Sequence, residues 1–226
     1  MPDYPPFNKK LSLFAAIFTA VVLCICVSCS DSTPELSSAT GYVIFDYDSM
    51  ESYPSMRLAA FVQTVSEVRR VEKISVFNRK NRLEWTSESP VVFSDEKSQW
   101  TGYTDFVCAK GISIPLGLYD FTYFDGEGRT EQTVFSIYYD AKNAAITAKD
   151  FLDKKPSNVI EKIALYSEQG MLLYFGDKKA SWKDDALIFK TNGQSSYYRT
   201  CYKISGDNSI FMMPPVYKNI QKIEKK

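Results

Sequence analysis

IPLGLYDFTYFDGEGR, residues 114–129, alternates large rings with polar residues and then closes on glycines. Tyr119, Phe121 and Tyr123 fall on one side of an extended chain while Asp120 and Thr122 fall on the other, the period-two pattern of a half-buried antiparallel strand. Asp125-Gly126-Glu127-Gly128 supplies the glycines that a tight reversal needs, and the chain returns through Thr133, Phe135 and Ile137. The stretch predicts a β-hairpin.

Outward from it, similar β-branched and aromatic runs recur between turn residues: GYVIFDYD from Gly41, RLAAFVQT from Arg57, EKISVFN from Glu72, RLEWTS from Arg82 and EQTVFSIYY from Glu131. Later come DALIFKT, SSYYRTCYKI and NSIFMM, before Pro214-Pro215 ends ladder pairing. Between the two sets, DAKNAAITAKDFLDKKPSN from Asp140 reads as a short helix or linker. The Pro-x-Gly-x-Tyr-x-Phe…Asp-x-x-Gly pattern of residues 115–128 resembles one found near the end of prealbumin-like and immunoglobulin-like modules of bacterial surface proteins. The expected fold is mostly β: an immunoglobulin-like antiparallel β-sandwich over 41–140, then a smaller β domain over 141–226, with one continuous sandwich as the alternative.

VEKISVFNRKNRLEW (71–85) aligns without gaps on IEKIALYSEQGMLLY (160–174), with identical Glu, Lys, Ile and Leu at four positions. Each reads as a strand, a polar turn and a returning strand, so either a β unit is duplicated or two hairpins have converged on similar chemistry.

The N-terminus has its own organisation. Lys9 and Lys10 precede an uncharged run, Leu11–Val27, followed by small polar residues, the three-part pattern of an exported precursor. Cys26-Val27-Ser28-Cys29 resembles the lipobox of bacterial lipoproteins, with Cys where Leu is usual. Leu23 and Ile25 are too bulky to precede the processed cysteine, which leaves Cys29 rather than Cys24 or Cys26. The resemblance implies a signal peptide over 1–28, diacylglycerol on Cys29, and a membrane partner through the N-terminal lipid. Ser30 in place of Asp implies the outer membrane of the cell envelope. Ser/Thr-rich residues 29–40 read as a flexible tether.

Charges exclude some functions. Lys and Arg total 27, as do Asp and Glu, and His is absent. Losing residues 1–28 removes Asp3, Lys9 and Lys10 and leaves a net charge near −1, so no basic field favours nucleic acid. The C-terminal lysines Lys218, Lys222, Lys225 and Lys226 read as a solvated tail. Without His, neither Ser-His nor Cys-His nucleophiles nor histidine metal sites can form. Asp46, Asp48 and Glu51 are the acids that an acid-pair glycosidase or a calcium site would use, whereas Asp125 and Glu127 read as ordinary hairpin-tip residues.

Trp85, Trp100, Tyr103, Trp182, Tyr197 and Tyr198 are candidate ligand-facing aromatics, against a reading in which the rings fill the core. Cys108 and Cys201 either form a disulfide in an oxidising compartment or occupy equivalent places in separate domains. The expectation is a non-catalytic, membrane-anchored module that binds a glycan or protein or serves envelope structure, without cofactor or metal. A secreted acid-pair glycoside hydrolase is the alternative.

Overall fold

The predicted hairpin lies inside the smaller of two sheets. Strand β7 (Gly117–Asp125) pairs antiparallel with β8 (Thr130–Ile137), matching Tyr119 with Phe135 and Phe121 with Thr133. Tyr119, Phe121 and Tyr123 are buried, and the residues between them are half-buried, as the alternation requires. The Tyr119 hydroxyl donates to the Pro115 carbonyl, and the Tyr139 hydroxyl donates to that of Ile114, so residues 114–119 satisfy two buried phenols. Strands β3 (Val71–Asn78) and β4 (Glu84–Ser87) complete this sheet in the order β4-β3-β7-β8.

The computed structural model describes residues 35–64, 71–94 and 98–218, all within one unit, Pro34–Lys226. Its larger sheet holds nine strands. These are β1 (Leu36–Asp46), β2 (Ser55–Thr64), β5 (Val91–Ser94), β6 (Gln99–Val107), β9 (Val159–Tyr166), β10 (Leu172–Gly176), β11 (Tyr197–Ile204), β12 (Ser209–Met212) and β13 (Val216–Tyr217). Their order is β10-β9-β11-β12-β1-β2-β6-β5, with β13 alongside β11. All ladders are antiparallel except that between β1 and β12.

The two sheets form a sandwich, and the larger one curls. Val43, Phe45, Leu58, Ala60, Val62, Phe106 and Phe211 point inward onto Ile74, Val76, Tyr119, Phe121, Phe135 and Ile137. Gly41 marks a close approach of the sheets, since a Cβ there would overlap the Phe135 ring and Ile137. Helix α1 (Ala148–Asp153), capped by Thr147, packs on the larger sheet and places Phe151 against Phe211 with ring centroids 4.1 Å apart.

Several expectations change. The stretch 185–191, DALIFKT, is helix α2 and not a strand: the Asp184 side chain caps the amide of Leu187, and Ile188 and Phe189 turn inward onto Ile163, Leu165, Trp182 and Tyr198. Strand β1 begins at Leu36, so part of the Ser/Thr-rich stretch is ladder and not tether. The expected boundary at residue 140 is crossed by a continuous ladder, because β12 pairs with β1. Strands β5 and β6 went unread in sequence: Gly102 interrupts the β6 pattern, and β5 is exposed throughout. The linker after Asp140 does form short helices, a 3-10 turn at Ala141–Ala145 and α1.

Candidate functional site

The outer face of the larger sheet has a polar centre. Arg57 on β2 and Arg199 on β11 both donate to the Asp46 carboxylate on β1, all three being largely sheltered from solvent. Arg199 also donates to the carbonyls of Tyr47, Met212 and Met213, while Arg57 donates to that of Thr104. On β9 nearby, burial and the Cys201 thiol push the Tyr166 phenol pKa up, and Arg199 offsets this only in part.

This cluster places Asp46 between two cations. Its carboxylate is occupied by two guanidiniums, Asp48 is exposed, and Glu51 faces Lys149 at 4.0 Å. Among the described residues no group of three metal-ligating side chains forms. Asp125 also differs from its reading as an ordinary tip residue. It is buried, accepts from the amides of Glu127 and Arg129, and pairs with the Arg129 guanidinium at 2.7 Å. Burial pushes its pKa up, but these bonds outweigh burial and leave it below the ordinary carboxylate value.

The six candidate aromatics do not form one row. Trp182 is buried with Tyr174 edge-on at 5.2 Å, and Tyr198 is buried beside Phe189. Trp85 and Tyr103 pack on the inner core, and the Trp85 indole donates to the Val107 carbonyl. Tyr197 stacks on Tyr166 at 4.9 Å and 11°, a cross-strand ladder in which ring faces cover one another.

Trp100 is different. It sits opposite Phe93 across β6 and β5, with the two rings within 7° of parallel, and Phe93 meets Phe61 edge-on at 5.6 Å. Gly102 makes room for this arrangement, because a Cβ there would collide with the Phe61 ring and the Ala60 carbonyl. Phe93 is 46% exposed and Val91 beside it 47%. Among the described residues, Gln63 and Ser98 border the rings: Gln63 is the ladder partner of Trp100 and accepts from Ser38, and Ser98 accepts from the Trp100 indole. Sequence reading found Trp100 but missed Phe61 and Phe93, which only the ladder register brings to it.

Cys108 and Cys201 are both free thiols. Cys201 lies within β11 opposite Met212, whereas Cys108 follows β6 and contacts the Ser113 carbonyl, so the two places are not equivalent. Burial pushes the Cys201 thiol up to about 11 and also raises that of Cys108. Cys29 and the lysines beyond Lys218 lie outside the described residues. Among those residues, no helix is long and apolar enough to cross a membrane.

No family model matches this chain, and no curated protein matches it. Its chemistry therefore has to be read from its own surface.

Proposed function

We propose that this protein is a lipid-anchored, non-catalytic β-sandwich of a bacterial envelope, and that it binds a neutral glycan over Phe93 and Trp100. The observation that carries the ligand class is the exposed Phe93 ring on edge strand β5 with the half-buried Trp100 ring near-parallel beside it, and with the Gln63 amide and the Ser98 hydroxyl next to them among the described residues. Sugar rings present an apolar C–H face and a rim of hydroxyls, which such a surface matches without needing charge. The anchor rests on Cys26-Val27-Ser28-Cys29 after the uncharged run. The non-catalytic reading rests on the acids that the sequence singles out: Asp46 is engaged by Arg57 and Arg199, and Glu51 by Lys149.

The test has two arms. In a lipoprotein-processing bacterium, the precursor should be globomycin-sensitive and its product detergent-soluble, and Cys29→Ala should abolish both. The full chain should bind neutral envelope polysaccharides in a glycan panel without turnover, and Trp100→Ala should weaken binding at least tenfold, about 1.4 kcal/mol. Retention of binding by Trp100→Ala and Phe93→Ala together overturns the ligand reading.

A further inference from the structure

We infer that Tyr166 and Tyr197 form an oxidative crosslinking site, at which a one-electron oxidant of the peroxidase class joins the two rings into dityrosine and so staples β9 to β11. This rests on neither the glycan reading nor the anchor. Phe93 and Trp100 lie toward the other end of the same sheet.

The ladder register makes the pair. Tyr166 of β9, Tyr197 of β11 and Tyr217 of β13 are cross-strand partners in turn, so the three side chains stand in one row. Tyr166 and Tyr197 are stacked with centroids 4.9 Å apart and planes at 11°, and Tyr217 leans on Tyr197 at 5.5 Å and 45°. Among the described residues, every other ring contact includes a phenylalanine or a tryptophan. Two phenols meet only in this row.

These phenols are also the ones the fold does not use. Tyr47, Tyr119, Tyr139, Tyr174 and Tyr198 each donate to a fixed acceptor. Among the described residues no hydrogen bond holds the hydroxyl of Tyr166, Tyr197 or Tyr217, so the rings can turn toward one another without breaking one. Tyr166 and Tyr197 are half-buried, and Tyr217 at the end of the row is 64% exposed, which opens the row to an oxidant. Tyr53 and Tyr138 are as exposed, at 67%, but neither touches another tyrosine ring among the described residues. Exposure gives an oxidant access, whereas only contact gives coupling.

The step balances with hydrogen peroxide as the oxidant. Each phenol loses one electron and its O–H proton. The two radicals form one C–C bond between ring carbons ortho to oxygen; the hydrogens on those carbons leave as protons and the oxygens are reprotonated. The two electrons and the net two protons released reduce one peroxide to two waters. Because the chain already holds the rings in contact, two radicals on one molecule combine with each other before either meets a second molecule.

Oxidising the full chain, dilute in detergent, with a haem peroxidase and limiting hydrogen peroxide tests this. On a denaturing gel the single-chain band should acquire dityrosine fluorescence. Tandem mass spectrometry of its tryptic peptides should join 163–178 to 191–199 through Tyr166 and Tyr197, with Tyr174 and Tyr198 of the same peptides unlinked. Tyr166→Phe and Tyr197→Phe, which keep the rings, should each lower the single-chain signal at least about tenfold, and Tyr53→Phe and Tyr138→Phe should leave it unchanged. Crosslinks confined to dimers, a link through other tyrosines, an undiminished signal in Tyr166→Phe, an equal yield from the urea-unfolded chain, or no dityrosine under conditions that couple free tyrosine would each overturn the proposal.

Discussion

The Asp46 carboxylate of β1 and the Arg199 guanidinium of β11 are hydrogen-bonded across β12, the strand that lies between them. Arg199 binds three main-chain carbonyls in addition, from Tyr47, Met212 and Met213, and so ties the ends of β1 and β12 to β11. Its planar fork serves acceptors that a single ammonium cannot reach together. Arg199→Ala should lower the unfolding free energy by about 2–3 kcal/mol, and Arg199→Lys should recover less than half of that. Urea denaturation measures both. Wild-type stability in either variant would show that the cluster is incidental.

Asp125 gives the fold an acid-sensitive turn. Its pKa is depressed in the folded chain, so its stabilisation is present above the unfolded carboxylate value, about 3.9, and is lost as pH falls through the lower folded value. Asp125→Ala should cost about 2–3 kcal/mol at pH 7, and the deficit should shrink as the wild type is acidified below about pH 4. A deficit that stays constant down to pH 2 would show that the carboxylate charge contributes nothing.

The two thiols of the sandwich should differ in reactivity. At pH 8, a thiol with a pKa of about 11 is roughly one part in a thousand thiolate, and Cys201 is buried besides. Cys108 is only partly covered. Iodoacetamide labelling of the native chain, followed by peptide mapping, should modify Cys108 at least tenfold faster than Cys201. Unreduced, denatured protein should yield both as free thiols. A peptide containing both cysteines joined through sulfur would contradict the arrangement described above.

Where a residue's own neighbours in the chain decide its state, the sequence was sufficient. The Tyr119, Phe121, Tyr123 alternation and the Asp125–Gly128 turn are local, and they produced the hairpin as read. The echo of 71–85 in 160–174 also held, because a hairpin's register depends on its turn and its two apolar faces. DALIFKT misled because seven residues suit either period, and the Asp184 cap together with the surface over Ile163 and Leu165 decided for helix.

By itself the sequence determined a β-rich chain, its principal hairpins and the absence of histidine chemistry, and it carries an N-terminal stretch that resembles a lipoprotein signal. Only the tertiary structure decided which aromatics meet, that Asp46 is held between Arg57 and Arg199, and that β10, with its apolar side chains exposed, ends the sheet among the described residues. The physical reason is range. Alternation and turn chemistry act over a few residues, whereas Asp46 and Arg199 are 153 positions apart and meet only after β12 has paired in parallel with β1.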